Sequence, residues 1–176
     1  LLGAFAFTVW DPRANHLFCA QDHFGLRPFY YYHDEGRIFA FASEIKALFQ
    51  IEAVPQIPNE VRIAKHLMAP VEEDVTRTYF KHIRRTAPAH TLVAKPDLIR
   101  TRQYWALDPD HELRLSSDQE YAERFQELFE EAVRVRLRSI RPIGSELSGG
   151  LDSSSVTCQA AQILRDSGSD TPLHTF

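Results

Sequence analysis

Short alternations of apolar and polar positions fill the first hundred residues, and longer helical periods follow. Residues 4–10 alternate small and large side chains, as a strand packed on a core does. Asp11 and Pro12 open a turn over 11–15, and 16–21 returns as a second strand. Residues 22–25 read as a loop, 29–33 as a third strand, 34–36 as a tight turn and 37–42 as a fourth strand. This rhythm predicts antiparallel hairpins. A short helix is expected over 43–49 with Ser43 as its N-cap, and Asn59 is expected to cap another running through Met68. Residues 79–105 predict further strands, interrupted at Pro88 and Pro96.

The period then changes. Residues 106–116 have no periodicity and read as a linker. Ser117 and Glu120 have the spacing of a capping box. Tyr121, Phe125, Leu128, Phe129 and Ala132 predict one buried helical face. Acids early and Arg134, Arg136 and Arg138 late complement the helix dipole. After Pro142 a short strand is expected over 143–147, then a Gly-rich loop over 148–153. A helix with Val156, Ala160, Ile163 and Leu164 on one face follows, then a loop over 167–172 and the start of a strand at 173–176. The fold class is therefore α+β over 1–105, with an antiparallel sheet. Over 117–176 it is α/β, the opening βαβ unit of a parallel sheet.

Composition narrows the classes. The chain has 176 residues, 44% apolar and 25% charged, which suits a folded globular protein. No apolar run approaches the ~20 residues of a membrane span. A net charge of −4 gives no reason to expect a nucleic-acid partner. Cys19 and Cys158 lie far apart, so a disulfide framework is not expected and a cytoplasmic setting is. Both read as core residues, as do Phe24, Phe29, Tyr30, Tyr31 and Tyr32. The histidines lack metal-ligand spacing, and Arg134, Arg136, Arg138 and Arg141 read as a solvated helix end. Both ends of the chain read as cut, so the expectation is an internal fragment of a longer protein.

Candidate chemistry concentrates between Leu147 and Ser153. Gly144, Gly149 and Gly150 fall close together, and a Gly-rich loop entering a helix gathers backbone N–H groups around an anion. Ser148, Ser153 and Ser154 add hydroxyl donors. Asp152 would repel a phosphate unless a cation stood between them, which points to Mg²⁺ carried by a nucleotide. Gly144 to Gly149 opens like a Walker A loop, but Gly150 and Leu151 stand where that motif needs Lys and Ser or Thr. The dinucleotide fingerprint G-x-G-x-x-G is absent as well.

Ser148-Gly149-Gly150-Leu151-Asp152-Ser153 resembles the signature loop of the ATP-pyrophosphatase (PP-loop) family. Gly3-Ala4-Phe5-Ala6-Phe7, Val9-Trp10-Asp11, the stretch from Asp22 to Tyr31, the stretch from Phe41 to Leu48, and Tyr104-Trp105 resemble the latter part of a class II, N-terminal-nucleophile glutaminase domain. Together they resemble the glutamine-hydrolysing asparagine synthetase family. The resemblance implies a glutaminase part over 1–105, a linker over 106–116 and the start of a PP-loop domain over 117–176. It implies ATP and Mg²⁺, with Leu147 against the nucleoside, Ser148, Gly149, Gly150 and Ser153 on phosphates, and Asp152 on the metal. It implies aspartate and glutamine-derived ammonia as substrates and is compatible with a homodimer of the intact protein. It assigns no catalytic residue within these 176, so the fragment alone is expected to be inactive. Gln21-Asp22, Pro88-Ala89 and Ser145-Glu146 depart from the family's usual Arg-Asp, Pro-Gly and apolar pair. These departures leave open a synthetase-like cyclase that closes another amide bond, and a non-catalytic scaffold.

Overall fold

The computed structural model describes residues 1–68, 74–168 and 172–176. It divides into two units, Leu1–Pro109 and Asp110–Phe176.

In the first unit, alternation produces hairpins. Strands β1 (Ala6–Asp11) and β2 (His16–Gln21) pair antiparallel, with Ala6 opposite Gln21 and Asp11 opposite His16. Strands β3 (Tyr30–Asp34) and β4 (Ile38–Ala42) form the second hairpin. Helices α1 (Ile45–Leu48) and α2 (Glu60–Met68) follow, then β5 (Ile83–Arg85), β6 (His90–Lys95) and β7 (Leu98–Gln103). One sheet has the order β1-β2-β6-β7 and the other β4-β3-β5. Their inward residues build two cores. Cys19, Phe29, Leu92 and Ala94 form one. Tyr32, Ala40, Leu48, Val54 and Ile83 form the other. Cys19 is thus the core residue its strand position predicts. Phe29 stacks on Phe41, and Tyr31 on Phe39, as cross-strand aromatic pairs do. Phe24 departs from the expectation: it is exposed, with its ring edge against Trp105, because its loop carries it off the sheets.

The expected N-cap at Ser43 is corrected. Extended backbone persists through Glu44, which takes the cap position without a side-chain hydrogen bond. The Glu44 carboxylate instead pairs with Lys46 at 2.7 Å. Asn59 does cap α2: its Oδ1 accepts from the Arg62 N–H at 3.2 Å.

The second unit contains α3 (Asp118–Arg134), β8 (Ile143–Ser145), α4 (Leu151–Asp166) and β9 (Leu173–Thr175). Strands β8 and β9 pair in parallel, Gly144 opposite His174. Part of the loop expected over 167–172 falls outside the described residues. Ser117 caps α3 by accepting from the Glu120 N–H at 3.3 Å. Glu120 reaches back to the Ser116 N–H, one residue beyond the reciprocal box.

Three packing expectations are corrected here. The apolar face of α3 is not buried: Tyr121, Phe125 and Leu128 are exposed, because α4 and β9 reach only the far end of the helix. There Val133 joins Ala160 and Ile163, with Phe129, Leu137 and Leu173 around them. On α4 the buried face is Thr157, Ala160 and Ile163, one position round from Val156, which is exposed. That same rotation leaves Cys158 exposed rather than core. No described helix is long and apolar enough to cross a membrane.

Candidate functional site

The site is the turn from β8 into α4. The loop is shorter than its sequence suggests, since α4 begins at Leu151 and takes Asp152 and Ser153 into its first turn. Two glycines make the turn. Gly149 has φ +82°, a left-handed conformation that a side chain would strain, and nothing lies within 4 Å of where its Cβ would be. Gly150 is the N-cap of α4, with extended backbone and no capping side chain. The first N–H groups of a helix have no partner within it, and a glycine cap supplies none. Those amides and the positive end of the 16-residue helix therefore face outward, with no Cβ at Gly149 or Gly150 to block an approaching anion.

The side chains complete the cradle. The Ser148 and Ser153 hydroxyls share a hydrogen bond at 3.0 Å, which brings the two ends of the turn together. Ser153 also donates to the Gly150 carbonyl at 3.3 Å. Asp152 is exposed in the first helical turn. Leu147 is held by its backbone, its N–H donating to the Phe176 carbonyl at 3.0 Å. Its half-exposed side chain offers an apolar surface beside the turn. The structure thus brings Leu147, Ser148, Gly149, Gly150, Asp152 and Ser153 onto one short turn. The donor set suits a phosphate, and one carboxylate beside phosphate oxygens suits Mg²⁺. Among the described residues no group of His, Cys, Asp and Glu forms a metal site of its own. The first unit's cavities, one of about 230 Å³ bounded by Trp10, His33, Arg37 and Lys95, contain none of these donors.

Sequence reasoning missed one pair beside the loop. Ser145 on β8 and the buried Thr157 on α4 share a hydroxyl–hydroxyl hydrogen bond at 2.8 Å. The signal was Ser145 itself, a hydroxyl where an apolar residue is usual.

A second constellation lies in the first unit. Asp22 is 1% exposed, and its carboxylate accepts from the backbone N–H groups of Phe5, Phe24, Leu26 and Arg27 at 3.0–3.3 Å. Burial pushes its pKa up, but the four N–H bonds together outweigh that and hold the carboxyl below its ordinary value. The Asp22 carbonyl accepts from Gly25 and Ala89. Gln21 ties the same loop through Arg27, and Tyr104 donates to the Gln21 carbonyl at 2.7 Å. With its carboxylate bonds directed at three N–H groups of its own loop and at Phe5 before β1, Asp22 is an organiser of the fold.

Residues 1–105 match the glutamine amidotransferase domain family, and residues 124–176 match the asparagine synthase family. A glutamine amidotransferase domain followed by an asparagine synthase domain defines the class. The chain belongs to the glutamine-hydrolysing asparagine synthetase family. It is 35% identical to asparagine synthetase [glutamine-hydrolyzing] 3 of Bacillus subtilis, across the whole chain and 28% of that protein. It is 32% identical to a putative asparagine synthetase of Methanocaldococcus jannaschii, across 99% of the chain and 33% of that protein. The amidase chyE of Penicillium rubens is 34% identical, across 94% of the chain and 24% of that protein. The chain thus spans about a quarter to a third of the length of these relatives.

Proposed function

We propose that this chain is the junction of an ATP-dependent amidotransferase ligase: the later part of a glutaminase over 1–105, a linker over 106–116 and the first nucleotide-binding element of a PP-loop synthetase over 117–176. In the intact protein, acting in the cytoplasm, a carboxylate oxygen of aspartate attacks the α-phosphorus of ATP. The α–β bond breaks and pyrophosphate leaves. Ammonia from glutamine then displaces AMP from the acyl-adenylate, giving asparagine.

The loop's part is electrostatic. Negative charge grows on pyrophosphate as the bond breaks, and the first-turn amides of α4, which no side chain caps, would stabilise it. The Ser148 and Ser153 hydroxyls, now bonded to each other, would exchange that bond for the same oxygens, and Leu147 would pack against the nucleoside. Asp152 would hold Mg²⁺, which supplies charge neutralisation on the phosphates. The observation that carries the reading is the conformation of the two glycines, Gly149 left-handed and Gly150 an uncapped N-cap. The 176 residues contain no glutaminase nucleophile by resemblance, so alone they are expected to turn over neither glutamine nor ATP.

The test uses the full-length protein with Mg·ATP, aspartate and glutamine, quantifying pyrophosphate and asparagine together. Equal amounts of both are expected, and Asp152→Ala should lower pyrophosphate release at least about 100-fold, as loss of a principal charge-stabilising group does. Pyrophosphate without asparagine, on adding other carboxylates, would favour the cyclase reading, which the similarity to the amidase chyE and the Ser145-Glu146 departure keep in play. No pyrophosphate under any of these conditions would overturn the ligase reading.

A further inference from the structure

We infer that Ser145 and Thr157 form a hydroxyl clasp that positions the nucleotide loop without touching the nucleotide. The inference rests on the function proposed above and adds two positioning residues to it.

Besides the Ser148–Ser153 bond within it, three ties hold the turn between β8 and α4 to the elements around it. The Phe176 N–H donates to the Ser145 carbonyl at 3.2 Å, and the Leu147 N–H donates to the Phe176 carbonyl at 3.0 Å. Both fix the loop's entry against β9. Neither controls where α4 points. The third tie, the 2.8 Å bond between Ser145 Oγ and Thr157 Oγ1, joins the strand before the loop to the helix after it. Thr157 lies nearly two turns into α4, so the bond acts as a lever on the helix axis and hence on the direction of its first-turn amides.

Packing alone does not call for this pair. Thr157 is buried, and Val has the same shape without a hydroxyl to satisfy. Thr is a middling helix residue, and the usual mid-helix partner of its hydroxyl is its own helix's carbonyl four residues back. Here the hydroxyl crosses to the strand instead. Two polar groups spent on each other at the root of an anion loop fix geometry, because a hydrogen bond is directional where apolar contact is not. Misplacing preorganised donors by a fraction of an ångström is costly in a site whose work is electrostatic.

The experiment uses the full-length protein and the variants Ser145→Ala, Thr157→Val, both together, and Thr157→Ser. Magnesium pyrophosphate affinity is read by calorimetry, pyrophosphate release by kinetics and folding by thermal melting. Thr157→Val and Ser145→Ala should each weaken magnesium pyrophosphate about fivefold and lower kcat for pyrophosphate release about tenfold. KM for aspartate should not move. The double variant should be no worse than either single, since both remove the same bond. Thr157→Ser keeps the hydroxyl and should stay near wild type. Folded single variants with unchanged pyrophosphate affinity and kcat would overturn the clasp. So would a Thr157→Ser variant as impaired as Thr157→Val, which would mean that the Thr methyl mattered. If Thr157→Val melts well below wild type, Ser145→Ala and Thr157→Ser decide by the same criteria. An unsubstituted protein that neither binds nor releases pyrophosphate would instead sink the proposed function, and the clasp with it.

Discussion

Two residues of the first unit bear a load out of proportion to their size. Asp22 ties the backbone N–H groups of Phe24, Leu26 and Arg27 in its own loop to that of Phe5 before β1. Asp22→Asn removes the charge and turns an amide N–H₂ toward donors, so it should cost about 3 kcal/mol in chemical denaturation. The carboxyl is held below its ordinary value, so folding favours its ionised form. Its contribution is complete above about pH 4, the unfolded value, and is lost as pH falls through the lowered folded value. Asp74 adds in the same sense: its Oδ1 accepts from the Thr76 hydroxyl and N–H and its Oδ2 from Arg77, and its pKa is lowered too. Acid unfolding followed by circular dichroism should therefore begin below about pH 4, and in Asp22→Asn its pH dependence should flatten. Ala89 is the second such residue. It is buried at φ +56°, where its N–H meets the Asp22 carbonyl, and a Cβ is strained in that conformation. Ala89→Gly should leave stability at or slightly above wild type, whereas Ala89→Val should cost about 2 kcal/mol or more. At a buried position of ordinary φ, glycine would be the damaging choice, so melting of the two variants separates the cases.

At the scale of elements, a helix cap has an effect only where its side chain meets an N–H. Ser117 accepts from Glu120 at the start of α3, so Ser117→Ala should destabilise by about 1 kcal/mol. Ser43 precedes a four-residue helix that it does not cap, and Ser43→Ala should move the melting midpoint by no more than measurement error. The contrast marks how far the elements were legible. The hairpins were, because period-two alternation fixes both the strand and the face it buries, and Cys19 and Phe29 fell inside accordingly. The Ser148-to-Ser153 turn was legible because two adjacent glycines before a helix have few other uses. Three features were not. Periodicity says which α3 residues share a face, and it is silent on whether anything covers them, so Phe125 and Leu128 were assigned to a core they do not reach. On α4, counting hydrophobicity favoured Val156 over Thr157, because a threonine whose hydroxyl is satisfied elsewhere reads as polar. The Ser145–Thr157 bond itself joins residues twelve apart on different elements, a contact no local pattern encodes.

Each unit exposes large apolar side chains. Along α3, Phe125 is 68% and Leu128 53% exposed, with Tyr121 beside them and Phe125 stacked on Phe129. In the other unit, Val9 and Trp10 stand exposed on β1, an edge strand of its sheet. A contiguous apolar stripe and an unpaired strand edge are the two surfaces through which chains associate. The relatives this chain matches are three to four times as long. The 176 residues expressed by themselves should then associate in a concentration-dependent way, read by sedimentation velocity. The α3 stripe makes the sharper test, since it is helical and can be changed without altering a sheet. Phe125→Glu with Leu128→Lys places opposite charges one turn apart on the exposed face, within reach of each other, and keeps the buried Val133, Ala160 and Ile163, giving up only the stack of Phe125 on Phe129. If α3 drives association, this pair should shift the population toward monomer with the melting midpoint unchanged. If association persists at wild-type strength, the β1 edge is the sticky surface. A charge at Val9 should then release the monomer, as inward or edge charges do in natural sheets.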